Sequence, residues 1–219
     1  MPPTLVQAAS GVDAPVAFLS ANAVHNAIVV MVRVETIETA TFSVTDSAGN
    51  VYTALPIQHI SAPFNVWSQL FYCLDIAGGA NSVTGSAVDS LSLPLIGVTC
   101  AIHEISGVTT KDTNAAATGT GLSQDSGSIS LAQNVEFLFG YEAANQLTGQ
   151  ASVTEGSGWT LAQSNVIWLT QYRVTSSSGL YSSTTTSTVG KGGACSWIEE
   201  IVALYTPAPA SIPSNVIVF

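Results

Sequence analysis

Charge is what this sequence lacks. Asp, Glu, Lys and Arg together make up 8% of its 219 residues, about a third of the share in an ordinary soluble domain. The shortage is steepest on the basic side, with four Lys plus Arg against fourteen Asp plus Glu and a formal net charge of -10. Four cations cannot build the footprint by which proteins neutralise phosphates, nor the polybasic stretch of a peripheral membrane protein. Nucleic acid and membrane are therefore excluded as partners. Long apolar runs are missing too, and with no window of 18 consecutive apolar residues no segment reads as a membrane-spanning helix. Cysteine is scarce. Cys73, Cys100 and Cys195 give an odd count without C-x-x-C spacing, which argues against a metal cluster or disulfide scaffold and for small buried apolar residues. The start, Met1-Pro2-Pro3-Thr4-Leu5, has neither the basic residue nor the apolar run of a Sec signal peptide. The expectation is a chain that stays in the cell that makes it, or one whose signal has been removed.

What is present is β-periodicity. Hydrophobic residues make up 47% of the chain, too many for disorder. In Ile28–Glu35, Val30, Val32 and Val34 share one face, and Arg33 and Glu35 the other. Thr41–Thr45 alternates with Phe42 and Val44 inward. Ser47-Ala48-Gly49-Asn50 follows as turn chemistry, and Val51–Leu55 returns, which predicts a hairpin. Further strands are expected at Ser68–Ile76, from Ser82, and at Leu95–Ser106, Ser128–Leu131, Val135–Tyr141, Trp159–Gln163, Val166–Val174, Leu180–Thr186 and Ala194–Tyr205. No segment sustains an i, i+3, i+4 pattern. The reading is all-β: a single antiparallel β-sandwich of ten or more strands over residues 1–206, with almost no helix. Thr109–Ser126, small and polar, reads as a long surface loop. Residues 207–219 are Pro-rich and cannot join a ladder. They read as an extended C-terminal arm tipped by Val216, Ile217, Val218 and Phe219, whose apolar side chains need a docking partner.

Three motifs carry a resemblance. They are Val44–Thr53, then Tyr72–Ile76 continuing into Ala77-Gly78-Gly79-Ala80-Asn81-Ser82-Val83-Thr84, and His103-Glu104-Ile105-Ser106-Gly107-Val108. In this order they resemble a jelly-roll-like β-sandwich domain family that recurs in bacterial extracellular proteins and phage structural (virion) proteins. Gly156–Leu161 and the Trp197 strand fit its second half, so the likeness spans roughly residues 4–206. It implies a jelly-roll-like fold and an adhesive, carbohydrate-facing or structural role, and it brings no catalytic motif.

The search for chemistry returns little. A glycosidase needs two carboxylates facing one cleft, and Glu199 and Glu200, adjacent on a strand, point to opposite faces. Glu104 falls on the apolar face at a strand end and reads as a rim carboxylate bonded to a neighbouring loop, with a catalytic or ligand role as the alternative. His25 lies in a turn, His59 in a loop, and His103 beside Glu104 on the opposite strand face. No G-x-S-x-G elbow accompanies them. Asp46–Asn50 reads as a turn rather than a calcium loop, since the distant bidentate Glu is absent. No cofactor and no metal are expected. Trp168 and Trp197 read as core. Trp67 and Trp159, at loop edges, are candidates for contact with a partner or a sugar.

Some strands are apolar on both faces. Val166, Trp168, Thr170, Tyr172 and Val174 line one face while Ile167 and Leu169 sit on the other, and large exposed apolar patches mark contact surfaces. Only two lysines, Lys111 and Lys191, are available to guard strand edges. The surface therefore reads as one covered by neighbours: copies of itself or other virion proteins, through Val216–Phe219, Ile167, Leu169, Trp67 and Trp159. The expected function is a non-enzymatic structural subunit of a phage virion, such as a head decoration protein or a tail or fibre component, located in the virion. The alternative is a secreted or cell-surface module that binds carbohydrate.

Overall fold

The computed structural model describes residues 2–61, 65–144, 150–189 and 195–208. Within them are nineteen β-strands and no helix, with every pairing antiparallel. The all-β, sandwich-like fold expected from the sequence is what the chain adopts, and no sheet closes into a barrel.

The sandwich has four layers. Sheet I is β2 (Val16–Ala17), β8 (Ser82–Val88) and β4 (Thr41–Asp46). Sheet II is β1 (Thr4–Val12), β9 (Thr99–Ser106), β3 (Ala27–Glu35), β7 (Val66–Cys73) and β5 (Thr53–Ala54), with β6 (Gln58–Ile60) also on β7. Sheet III is β10 (Thr110–Gly121), β19 (Cys195–Tyr205), β13 (Phe137–Ala144), β16 (Trp168–Val174) and β15 (Thr160–Ser164). Sheet IV is β11 (Ser123–Asp125), β18 (Thr184–Val189) and β14 (Gln150–Glu155), and a ribbon of β12 (Ile129–Ser130) and β17 (Leu180–Tyr181) lies beside it.

Alternation of side chains sorts the core into three seams. Ile28, Val30 and Val32 of β3 meet Val83 and Ala87 of β8 between sheets I and II. Ala27, Val29 and Met31, on the opposite face of β3, meet Phe139, Tyr141 and Val202 between sheets II and III. Leu138, Ile201 and Ala203 turn outward from sheet III onto Ile129, Leu131 and Trp159. Sheets II and III are thus buried on both faces, which is why their strands are apolar on both.

This corrects the placing of Leu169 at a surface covered by neighbours. Leu169 is fully buried within the chain itself, and Ile167 is half-buried against the seam between sheets II and III. Removing a leucine from water contributes about 2 kcal/mol, and here the chain's own layers supply that gain. Arg33, predicted on a polar face, is buried between the two central sheets, where its guanidinium donates to Glu35 at 2.6 Å and to the Ala144 carbonyl at 3.3 Å.

Two local expectations fail in instructive ways. The turn at Ser47–Asn50 forms, with Gly49 at φ +77°, but its flanks do not make a hairpin. β4 pairs with β8 in sheet I, whereas β5 pairs with β7 in sheet II. The turn carries the chain from one layer to the next. Thr109–Ser126, expected as a loop, contains β10 and β11, and β10 pairs with β19 from Thr110–Tyr205 to Gly121–Cys195. Its small residues suit the site: Ala115 and Ala117 pack outward, and the Trp197 indole lies across Gly119. The expected arm begins at residue 207, and Thr206 donates to the Gly107 carbonyl at 3.0 Å. Val216, Ile217, Val218 and Phe219 lie outside the described residues.

Candidate functional site

The chemistry that the fold concentrates lies between sheets III and IV. Along β19, Glu200 turns inward, where Ser68 of β7 donates to its Oε1 at 3.2 Å, and Glu199 turns outward beneath β18. Their opposite orientations follow the sequence reading. Directly across from Glu199 in the ladder stands Glu142 of β13, a residue the sequence did not single out. All three are buried. Burial pushes the Glu199 and Glu200 carboxyls up to about 8. Burial, with the neighbouring Glu199, holds Glu142 well above the ordinary carboxyl range.

Glu199 anchors a hydrogen-bond network across four strands. Gln171 of β16 donates to the Ser183 hydroxyl at 2.9 Å, which donates to Glu199 Oε1 at 2.5 Å. On the other side, Thr185 Oγ1 lies 2.9 Å from Glu199 Oε2 and 3.0 Å from Gln124 Oε1. A threonine hydroxyl has one hydrogen, so it serves only one of these two acceptors. The Gln124 amide nitrogen is committed to Ser187 Oγ at 3.1 Å and Cys195 Sγ at 3.6 Å, which fixes its oxygen toward Thr185. The remaining proton therefore sits on Glu199, which donates to Thr185 as a neutral acid. Among the described residues Glu142 has no such partner, and neither of its carboxyl oxygens makes a hydrogen bond.

Gly140, two residues before Glu142, makes room for this network. A Cβ there would fall 2.2 Å from Ser183 Oγ, a separation real atoms do not tolerate. Gly140→Ala is expected to push Ser183 off Glu199 and destabilise the protein by about 1–3 kcal/mol, read from the midpoint of urea unfolding. An unchanged midpoint would show that Ser183 is not held over β13.

Glu104 forms a separate cluster at the end of β9. Its carboxylate accepts from Gln7 Nε2 at 2.5 Å, Asn22 Nδ2 at 2.7 Å, Asn26 Nδ2 at 2.7 Å and the Ala23 N–H at 2.8 Å. Burial works to raise the carboxyl, and these four donors outweigh it and hold Glu104 below its ordinary value. The bond to a neighbouring loop read from the sequence is what forms. Asp46 closes the β4 turn by accepting from the Asn50 N–H and side chain, the Tyr52 hydroxyl and Asn81.

No protein-family model, curated protein or solved structure matches this chain. The reading of its sites rests on geometry alone.

Among the described residues, no three His, Cys, Asp or Glu side chains gather as a metal cluster. The histidines are dispersed. His103 is buried against Phe139, with Nε2 at 2.8 Å from Thr170 Oγ1, and burial pushes it down to about 3, so it is neutral. His25 meets Asp75 on the surface at 2.5 Å. His59, expected in a loop, lies on β6. The three cysteines are free and buried, as read from their spacing.

The aromatic candidates divide. Trp168 and Trp197 are core, as expected. Trp159 is buried between the ribbon and sheet III, so it offers no face to a partner or sugar. Trp67 is half-buried, with the His59 ring stacked on it at 3.7 Å and 13°. Its exposure to a ligand is limited by that histidine.

Proposed function

We propose that this chain is a non-enzymatic structural subunit that works through contacts with copies of itself or with other proteins of a particle. A phage virion is the assembly to which the sequence resemblance points. One observation carries the reading. Exposed aliphatic side chains crowd one end of sheets I and II: Val12 at the end of β1, Ile37 between β3 and β4, and Leu91, Leu93 and Ile96 between β8 and β9. Ile37, Leu91 and Ile96 are 86%, 76% and 84% exposed. Strand register brings these loops together, since Val12 and Arg33 both pair with Thr99, and Thr41 pairs with Val88. An apolar patch of this kind on a chain so poor in charge favours a protein contact.

The apolar residues Val216–Phe219 supply a second contact element. β19 ends at Tyr205, paired with Thr110, and Thr206 bonds Gly107 beside the Ser106–Thr4 pair, at the opposite end of sheet II from Val12. A patch at one end of sheets I and II and a described chain that ends at the other suit head-to-tail association. The carbohydrate-binding alternative would rest on Trp67, which is stacked with His59, since Trp159 is buried.

Sedimentation of the full chain tests the proposal. Concentration-dependent association is expected, weakened both by Leu91→Asp with Ile96→Asp and by deletion of residues 209–219, while thermal melting stays unchanged. A chain that remains monomeric at every concentration, with glycan binding lost on Trp67→Ala, would replace it with the carbohydrate reading.

A further inference from the structure

Among the described residues, Glu142 is a carboxyl group with nothing to bond. It is fully buried, both its oxygens lack partners there, and it stands opposite Glu199 on the same face of sheet III. Directly opposed residues in an antiparallel pair hold their Cβ atoms about 5 Å apart, close enough for two carboxyl groups to share one ion. Protonation does not resolve the position. A proton on Glu199 finds the Thr185 hydroxyl, but a proton on Glu142 finds no acceptor, and the other oxygen still finds no donor. A buried polar group without a partner calls for an explanation, a bound ion being one, and among the described residues Glu142 is the one buried carboxyl with both oxygens unpartnered. Arg33 favours a negative charge on Glu142 without bonding it: its Nη2 goes to Glu35 and to the Ala144 carbonyl, and its Nε makes no hydrogen bond.

We propose that Glu142 and Glu199 hold a hard divalent cation, Ca2+ in preference to Mg2+, between sheets III and IV. The ligands on the page are all oxygens: the two carboxylates, with the Ser183 and Thr185 hydroxyls that already touch Glu199. Calcium takes six to eight such oxygens in flexible geometry, whereas magnesium demands a near-ideal octahedron and keeps its waters. Two carboxylates neutralise one divalent ion, so the site carries no net buried charge. The ion takes the place of the carboxyl protons, which pass to solvent, and Thr185 keeps its own hydrogen on Gln124. Sheet IV would be tied to sheet III through the metal.

The test uses the full chain stripped with EDTA. Adding about 1 mM CaCl2 at neutral pH is expected to raise Tm by about 5 °C or more, with MgCl2 giving a smaller rise. Trp197 lies two residues from Glu199 on the same face of β19, so Tb3+ is expected to show luminescence sensitised by tryptophan and to be displaced by Ca2+. Glu142→Gln should abolish both responses while still folding, because the amide matches the carboxyl in size and carries no charge. Ca2+ and Tb3+ responses that persist in Glu142→Gln would overturn the proposal. So would their absence from the parent chain, which decides the matter even if the variant fails to fold. Failure here leaves the assembly reading untouched, because that reading is tested by sedimentation.

Discussion

From about pH 5 to about pH 9, in EDTA, the urea midpoint of this protein is expected to fall rather than rise, and then to level off. Burial raises the folded-state carboxyls of Glu199 and Glu200 to about 8, from an ordinary value of 4.5. A group whose folded value is raised contributes stability that is fully present below its unfolded value and lost as pH climbs through the folded one. The window is therefore about pH 4.5 to about pH 8. Glu142, raised by burial and by the neighbouring Glu199, adds to the loss. Each of the first two carboxyls is worth on the order of 4 kcal/mol across the window, against a total stability of about 5–15 kcal/mol for a typical domain. With urea slopes of about 1–3 kcal/mol/M, a midpoint shift of roughly 2 M or more is expected. Glu200→Gln should flatten the profile without disturbing sheet IV, since Glu200 faces Ser68 in the other seam. Stability that increases steadily from pH 5 to pH 9 would mean these carboxyls are ionised in the fold, and the neutral-acid network around Glu199 would have to be abandoned.

Replacing Glu104 is expected to cost about 3–5 kcal/mol, the scale of breaking a buried charged network. Glu104→Ala leaves Asn22 Nδ2, Asn26 Nδ2, the Ala23 N–H and Gln7 Nε2 without their acceptor. Glu104→Gln fares little better, because it turns one acceptor oxygen into an N–H2 donor facing two of these donors. Native-state hydrogen exchange should show the segment 18–26 opening first, since Glu104 ties Asn22, Ala23 and Asn26 to β9, whereas β1 keeps its own ladder with β9. Protection in β13 and β19 should change only with the global loss. Glu104 itself works on the acid side. Its folded value is lowered, so its stabilisation is present above the unfolded value and is lost as pH falls through the folded one. If Glu104→Ala melts within a degree of the parent, the four-donor clasp carries no stability.

The strands and the candidate sites were legible to different degrees. The Phe42 and Val44 alternation, the Asp46–Asn50 turn, the buried cysteines and the opposed Glu199 and Glu200 all follow from local rules, in which a strand has period two and a turn needs Gly49 at positive φ. The partners of β4 and β5 did not follow, because a turn fixes a reversal of direction without fixing which sheet each arm joins. β10 was misread as a loop, since its Thr, Asn, Ala and Gly residues carry little strand propensity. Its pairing with β19 and the Trp197 indole over Gly119 decide its conformation. Glu142 escaped notice for the same reason. Its meaning comes from standing opposite Glu199, 57 positions along the chain, and register between distant strands is not written in either strand alone.

By itself, the sequence determined an all-β chain with buried thiols, no basic surface and a Pro-rich C-terminus, because composition and side-chain period act residue by residue. Only the tertiary structure decided where the apolar excess goes. Four stacked sheets bury both faces of the two central ones, so Leu169 and Trp159 belong to the chain's own interior and the exposed aliphatics gather at one loop end. The physical reason is layering: a strand apolar on both faces specifies burial but not what covers it. That choice is made by contacts between segments far apart in sequence, and the same contacts bring Glu142 to Glu199.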